Sequence, residues 1–143
     1  MHTMAVGREI LPGGKIKLSS GDCTFIYDRP RPGVLHITIS GHDRGQFGTG
    51  TIDEILLAIQ REGPLELFVD ASAASGASVD VSEAWTRFFT LNRDRLERVH
   101  VLTRSQFMQL TVAISQHLSR TGDLIRIHSS AASFEGALAG KGK

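Results

Sequence analysis

Helix-like and strand-like patterns alternate strictly along this chain from residue 51 onward, and this alternation most constrains its fold. Stretches with apolar residues at helical spacing are separated by short apolar runs, of which the clearest is 65–70. Two or three strand-like segments come before the first helical stretch. Because a strand, a helix and a further strand favour a parallel pair joined by a right-handed crossover, the pattern predicts an α/β fold. Its sheet is expected to be mixed, with parallel later strands.

Composition narrows the class of protein. The chain has 143 residues, 41% of them apolar and 22% charged, as in one ordinary soluble domain. A net charge of +1 gives no general attraction to nucleic acid. Cys23 is the single cysteine, and neither it nor the histidines show metal-ligand spacing, so no metal or cofactor is expected. No apolar run approaches the roughly 20 residues of a membrane-spanning helix, and the start lacks a signal-peptide core. We therefore expect a cytoplasmic protein of bacterial type.

Local patterns predict the individual elements. Residues 1–14, with a Pro-Gly-Gly break, are expected to form a flexible arm before a domain over 15–139 and a tail over 140–143. Strands are predicted at 15–18, 23–27, 34–39, 65–70, 98–103 and 124–128. The capping box of Thr51 and Glu54 begins the first helix. Further helices are predicted over 81–96, from 104 to about 120, and over 133–138.

Polar side chains stand where the apolar run 65–70 ends. Asp70 closes the run and Ser72 follows it, bounded upstream by Gly63 and Pro64. Open α/β sheets usually bind ligands or partners at the carboxyl ends of their parallel strands, so both side chains are candidate contact residues. The structural alternative is that they cap a turn through bonds to the backbone.

Further serines precede or begin the helix predicted over 81–96. A phosphate at a helix N-terminus meets free N–H groups and a favourable dipole, so Ser75, Ser78 and Ser82, like Ser72, are candidates for modification. Ser78 and Ser82 are also candidate contact residues. The alternative is that Ser82 or Asp80 simply caps the helix.

The glycine-rich segment 41–50 is a second candidate region. Glycines allow close backbone approach, so His42 and Asp43, with Arg104 at another strand end, are candidates for binding an anion. The segment lacks the Gly-Lys-Ser/Thr ending of a P-loop, and a flexible surface loop is the alternative. His42 and Asp43 have no placed nucleophile and make no catalytic triad.

Three aromatic residues crowd the helix predicted over 81–96. Trp85, Phe88 and Phe89 exceed what one buried stripe can hold, so at least one ring is expected to face outward or into a groove. Trp85 and Phe89 are therefore candidate contact residues. An ordinary core with one exposed ring is the alternative.

The order of these elements, with a strand ending in Asp70-Ala71-Ser72, resembles the STAS fold of anti-sigma-factor antagonists and their SpoIIAA-like relatives. The resemblance covers residues 15–139, and the Asp-x-Ser triplet matches the strand end of regulated members. It implies a single STAS-like α/β domain whose mixed, mostly parallel sheet carries three to four packed helices. It also implies protein partners, such as a regulatory kinase or another sigma-pathway component.

The chain departs from that family at the phosphoacceptor. Regulated members carry Asp-Ser-x-Gly shortly after the triplet, and its Ser accepts a phosphate from a partner kinase. The same interval here brings Ser78, Val79, Asp80 and Val81 to that place, so Val79 stands at the acceptor position. The resemblance therefore implies a regulatory or binding scaffold without the usual switch.

Two functional hypotheses follow. The first is a noncatalytic regulatory or protein-interaction module of SpoIIAA-like type, whose contact face lies around residues 70–82 and 85–89. It is compatible with a homodimer formed through an unpaired sheet edge. The second is a small-ligand or anion-binding protein, or a modest enzyme, that uses the strand ends, including Arg104 and His128 with Ser129.

Overall fold

The computed structural model describes residues 5–105 and 123–140, together with residues 109, 112, 113 and 117 between these ranges. Within them the strands are β1 (Gly7–Ile10), β2 (Ile16–Ser20), β3 (Cys23–Asp28), β4 (Val34–Asp43), β5 (Leu65–Ala77), β6 (Leu96–Leu102) and β7 (Ile125–His128). The α-helices are α1 (Gly50–Glu62), α2 (Val79–Asn92) and α3 (Ala131–Leu138). Short 3-10 helices span Pro12–Gly14 and Arg93–Arg95. No helix in this part of the chain is long and apolar enough to cross a membrane.

All seven strands form one sheet, in which each strand lies beside its neighbours in sequence. The strands from β1 to β4 are antiparallel to one another, and those from β4 to β7 are parallel. This confirms the predicted α/β class, the mixed sheet and the common direction of the last four strands. The carboxyl ends of those four strands therefore lie along one edge.

The main hydrophobic core covers one face of the sheet, which we call the first face. Right-handed crossovers between neighbouring parallel strands stay on one side of a sheet, so α1 and α2 both pack here. The helices contribute Ile55, Ala58, Ile59, Phe88 and Phe89, and alternate positions of the central strands contribute Leu35, Ile37, Leu67, Val69, Val99, Val101 and Ile125.

The opposite face, called the second face, carries a smaller apolar cluster. Val34, Phe68 and Leu102 lie beneath Phe134 of α3, whose ring meets that of Phe68 edge-on at 5.7 Å. Because α3 follows the last strand and connects no further one, no crossover rule keeps it on the first face. Its eight residues cover only part of the second face, and histidines fill positions beside it.

Strand β5 is longer than its hydrophobic pattern indicates. A small-residue loop is expected after Ser72, but the strand continues to Ala77. Ala73, Ala74, Gly76 and Ala77 pair with residues 40–43 of β4 through two register shifts. Because these residues are alanine, serine and glycine, their sequence shows no alternation of apolar and polar side chains. The segment belongs to the strand through its backbone pairing with β4.

Other expectations also need correction. Residues 7–10, expected in a flexible arm, form the edge strand β1, whose side chains are all exposed and so leave no burial pattern. The helical spacing of Val81, Ala84, Trp85, Phe88 and Leu91 predicts that Leu91 faces inward, but Leu91 is 75% exposed. The helix expected after Thr103, with inward Phe107, Leu110, Ile114 and Leu118, lies largely outside the described residues, although Val112 packs against the main core.

Gly41 allows β4 to pass close to the turn between β2 and β3. Its φ is +82°, and a Cβ atom there would lie 2.0 Å from the carbonyl oxygen of Asp22. No side chain fits at that separation. Gly45 has a similar φ of +91° but open space around its Cα atom.

We expect Gly41→Ala to destabilise the fold more than Gly45→Ala. Both variants bear the left-handed backbone cost of about 1 to 2 kcal/mol for a side chain. Only Gly41→Ala also forces two backbone segments apart, which adds about 1 to 3 kcal/mol. Urea denaturation of both variants checks this, and equal losses in the free energy of unfolding would contradict the backbone contact.

Candidate functional site

An apolar cavity of about 110 Å³ lies between α2 and the first face, beside the carboxyl ends of β4 and β5. The cavity exists because the residues of β5 that line it are small, and larger side chains there would fill it. The half-buried members of its lining show that the cavity reaches the surface, and they are Ile39, Ala74, Ala77, Val81, Ser82, Trp85 and Val112.

Aromatic rings of α2 form one wall of the cavity. Trp85 and Phe89 line it, with ring centroids 5.9 Å apart, and Phe88 packs edge-on against both. Phe88 and Phe89 are both buried, whereas Trp85 is half-buried. Trp85 is thus the ring that the core does not enclose, and it faces a groove.

Asp43 places a carboxyl group in this otherwise apolar wall. The residue is buried, and its Oδ1 accepts a hydrogen bond from the Gly45 backbone N–H at 3.0 Å. Burial raises the pKa of this carboxyl above its ordinary value, although the Gly45 bond and nearby His42 act in the opposite direction. The Asp43 carbonyl also accepts from the Ser78 backbone N–H at 2.9 Å, which ties the end of β4 to the start of α2.

Asp70 and Ser72 are hydrogen-bonded to each other. One carboxylate oxygen of Asp70 accepts from the Ser72 backbone N–H at 3.0 Å and from its hydroxyl at 2.6 Å. This is the local capping arrangement that the sequence left open as the structural alternative. Neither side chain lines the apolar cavity.

The serines near α2 have different positions. Ser78 caps the helix, with its hydroxyl accepting from the Val81 backbone N–H at 3.3 Å, so the cap is neither Asp80 nor Ser82. Ser82 lines the cavity, whereas Ser75 is exposed on β5. Val79, the first helical residue, is 74% exposed.

His42, Asp43 and Arg104, the three candidates for anion binding, do not surround one space. Asp43 lines the cavity, whereas the His42 ring packs on Gly76, where a Cβ atom would lie 3.2 Å from its Cε1. Arg104 is exposed beyond the end of β6. In the part of the chain that the structure describes, no three histidine, cysteine or acidic side chains group as metal ligands.

No protein-family model matches the chain, and no curated protein matches it. Solved structures do. A DUF3478-family protein with a SpoIIAA-like fold from Shewanella loihica PV-4 superposes with a TM-score of 0.56 at 11% identity, over 96% of this chain and 95% of that one. An anti-sigma factor antagonist from Mycobacterium paratuberculosis gives a TM-score of 0.53 at 14% identity, over 82% and 94%. The fold is SpoIIAA-like.

These likenesses confirm the STAS or SpoIIAA-like resemblance at the level of the fold. In this SpoIIAA-like domain, Val79 occupies the exposed first position of α2, next to the cap Ser78. The interval counted from the Asp70-Ala71-Ser72 triplet thus leads to a helix N-terminus. The apolar cavity opens beside the same turn.

A buried histidine pair lies on the second face, and of its two members only His128 was singled out from the sequence. Nδ1 of His100 lies 2.9 Å from Nε2 of His128, whose Nδ1 lies 2.7 Å from the Ser133 hydroxyl. His100 also stacks on Phe68, with ring centroids 4.4 Å apart. His128 had been grouped with Ser129, but Ser133 of α3 is its partner. Burial, followed by the charge of His128, lowers the pKa of His100 to about 4.

Asp43→Asn should change how stability depends on pH. Since the folded protein holds the Asp43 proton more tightly than the unfolded chain, wild-type stability falls as pH rises from the ordinary pKa of 3.8 through the raised one. An asparagine oxygen keeps the Gly45 bond but does not titrate. The free energy of unfolding, measured by urea from pH 3.5 to 7, should therefore fall with pH in the wild type relative to Asp43→Asn. Parallel curves would contradict a buried, protonatable carboxyl.

His100→Gln should reduce sensitivity to acid. The unfolded chain binds a proton at the ordinary histidine pKa of 6.5, whereas folded His100 binds one only near 4. Neutral His100 therefore contributes fully to the free energy of unfolding above pH 6.5. This contribution is lost as the pH falls to about 4, and the loss amounts to about 3 kcal/mol. Urea unfolding at pH 7 and pH 4.5 should show a smaller difference for His100→Gln than for the wild type. An equal difference would mean that the pair does not govern acid stability.

Proposed function

We propose that this chain is a noncatalytic regulatory module that binds another protein through the surface at the start of α2. The apolar cavity beside that helix carries the proposal. A space of about 110 Å³ suits one apolar side chain of a partner, because apolar cavities of about 150 Å³ hold a benzene-sized group. The half-buried Trp85 indole at its mouth is of the type that dominates binding energy at protein interfaces.

The polar frame of the cavity supports a protein partner. Ser82 and Asp43 are the polar residues among a mostly apolar lining, and the neighbouring Ser75 and Ser78 are exposed or half-buried, so polar groups accompany an apolar centre, as in protein interfaces. The polar groups at this edge bond to one another: Asp70 to Ser72, and Asp43 to the backbone of Gly45 and Ser78. That arrangement favours recognition over chemistry.

The proposed class of partner is taken from a solved structure with a similar fold. One solved structure with this fold is described as an anti-sigma factor antagonist, which supports a component of a sigma-regulating pathway, such as a regulatory kinase. Val79 stands at the position of the phosphoacceptor and has no hydroxyl group to phosphorylate. We therefore infer that phosphorylation at this position does not switch partner binding. The setting proposed for this activity is the cytoplasm.

A small ligand is the second candidate. The Asp43 carboxyl in the cavity wall favours it, since one hydrogen-bonding group in an apolar pocket is the usual composition of a small-molecule site. The same carboxyl disfavours an anion. An apolar molecule with one hydrogen-bond donor or acceptor is therefore the alternative occupant.

The two occupants are distinguished by filling the cavity. Ala74→Met places a long side chain in the cavity, and Ala73→Met makes the same change at the exposed neighbouring position of β5. Both tagged variants and the wild type are expressed in the native cell, cross-linked, and compared by quantitative mass spectrometry. Circular dichroism and thermal melting confirm that each variant is folded.

The expected result is a protein that is enriched by the wild type and by Ala73→Met but is lost with Ala74→Met. With that protein purified, Ala74→Met should weaken the dissociation constant at least about tenfold, or about 1.4 kcal/mol. Native mass spectrometry that instead finds a small molecule in the wild type, displaced by Ala74→Met, would replace the protein-binding proposal with the ligand one. Unchanged binding in Ala74→Met would remove the cavity from either role.

A further inference from the structure

A second cavity, of about 380 Å³, lies on the second face at the amino ends of β5, β6 and β7. It is therefore on the opposite side of the sheet from the apolar cavity and at the opposite end of the parallel strands. Ala137 and Gly140, at the end of α3 and just beyond it, form one wall. The other lining residues are polar, and they are Arg31, Glu66, Arg98, His100 and Arg126.

Strand register brings two of these arginines together. Glu66 is paired with Arg98, and His100 with Arg126, so Arg98 and Arg126 are diagonal neighbours on adjacent strands. Both are exposed, and neither lies in an ion pair with a carboxylate of the described residues. Two guanidinium groups thus share one opening without a protein counter-ion.

Arg31 and Glu66 have structural partners. Arg31 donates from Nη1 to the carbonyl oxygen of Leu138, at the end of α3, and its Nη2 lies 3.7 Å from Oε1 of Glu66. Arg31 therefore offsets the negative end of the helix dipole. With three guanidinium groups and one carboxylate, the cavity has an excess of two positive charges.

His100 lines this cavity and has a nitrogen atom without a hydrogen-bond partner. The residue is only 3% exposed, and its Nε2 makes no hydrogen bond. Oε2 of Glu66 is 3.5 Å away, which is longer than an ordinary hydrogen bond. A buried polar atom without a partner is costly, so a ligand atom at this position would be stabilised.

We propose that this cavity binds the phosphate group of a small phosphomonoester between Arg98 and Arg126, with His100 at its base. A phosphomonoester carries between about 1.5 and 2 negative charges at neutral pH, which matches the excess of two positive charges. Guanidinium groups present paired donors that fit phosphate oxygens. A volume of about 380 Å³ is larger than a bare phosphate needs and lies within the range of small-molecule sites.

The histidine chain supplies the remaining donor. When Ser133 donates its hydroxyl proton to His128 Nδ1, Nε2 of His128 donates in turn to His100 Nδ1. The His100 proton is then on Nε2, directed into the cavity, where a phosphate oxygen accepts it. Neutral imidazoles are sufficient for this arrangement.

Ribose 5-phosphate is a suitable probe, with ribose as its uncharged counterpart. Isothermal titration at low salt and pH 7.5 should give a dissociation constant of about 1 mM or tighter for ribose 5-phosphate and no detectable binding of ribose. The double variant Arg98→Gln with Arg126→Gln should weaken binding at least about tenfold. Arg61→Gln is the single-charge control: it removes one positive charge, half of what the double variant loses, from an exposed position on α1, and it should leave the affinity unchanged.

Three results would overturn the proposal: equal affinity of the double variant and Arg61→Gln, equal binding of ribose, or no binding of ribose 5-phosphate up to about 10 mM. Both arginines are exposed, so the double variant should fold, as circular dichroism can verify. If it does not, Arg126→Gln alone tests the same contact with a smaller expected loss. Because the two cavities lie on opposite faces, a negative result here leaves the proposed partner surface standing.

Discussion

The parallel pairing of β4, β5, β6 and β7 is the constraint on which the rest of the molecule depends. α1 and α2, which connect β4 to β5 and β5 to β6, lie on the same side, since a right-handed crossover has one choice of face for a given direction of travel. They fill the first face together with Val112. Neither of these two helices lies on the second face, which α3 covers in part.

That arrangement explains why the apolar cavity exists. β4 and β5 continue beyond the neighbouring strand β6, which has its last pairing with β5 at Asp70. The extended part of β5 is built from Ala, Ser and Gly, and α2 begins immediately after it, fixed by the bond from Ser78 to the Asp43 carbonyl. A helix held at a normal packing distance above such small side chains leaves a gap. The aromatic rings of α2 close the inner end of this gap but not the outer one.

Much of the fold was predictable because burial leaves a period in the sequence. The apolar runs in β3, β4, β5 and β6 and the stripe of α1 all carry this signal, and their alternation predicts the mixed sheet and the common direction of its later strands. β1 was not predicted because all of its residues are exposed. The second half of β5 was not predicted because its residues are too small to show which face is buried. The strand ends were correctly expected at one edge, where Asp70 and Ser72 bond to each other.

The second face was not predictable in the same way. His100 and His128 are 28 positions apart, and only the pairing of β6 with β7 brings them into contact. Arg98 and Arg126 are neighbours for the same reason. In sequence, His100 and Arg126 are isolated polar positions in short apolar runs, which normally indicates a solvated strand face. Only the return of α3 across that face encloses the two histidines, so the chemistry of this face arises from topology and leaves no local motif.

Enclosure by α3 also accounts for the imbalance of polar groups there. A helix of eight residues buries His100 through Phe134 and Phe68, yet it ends before it can cover Arg98 and Arg126. The buried imidazole therefore has protein partners on its Nδ1 side, whereas its Nε2 side faces a cavity whose charges only Glu66 offsets. If the purpose of this cluster were stability alone, an apolar residue at position 100 would pack on Phe68 without the cost of an unpaired nitrogen. The cost is explained when Nε2 has a ligand atom to bind.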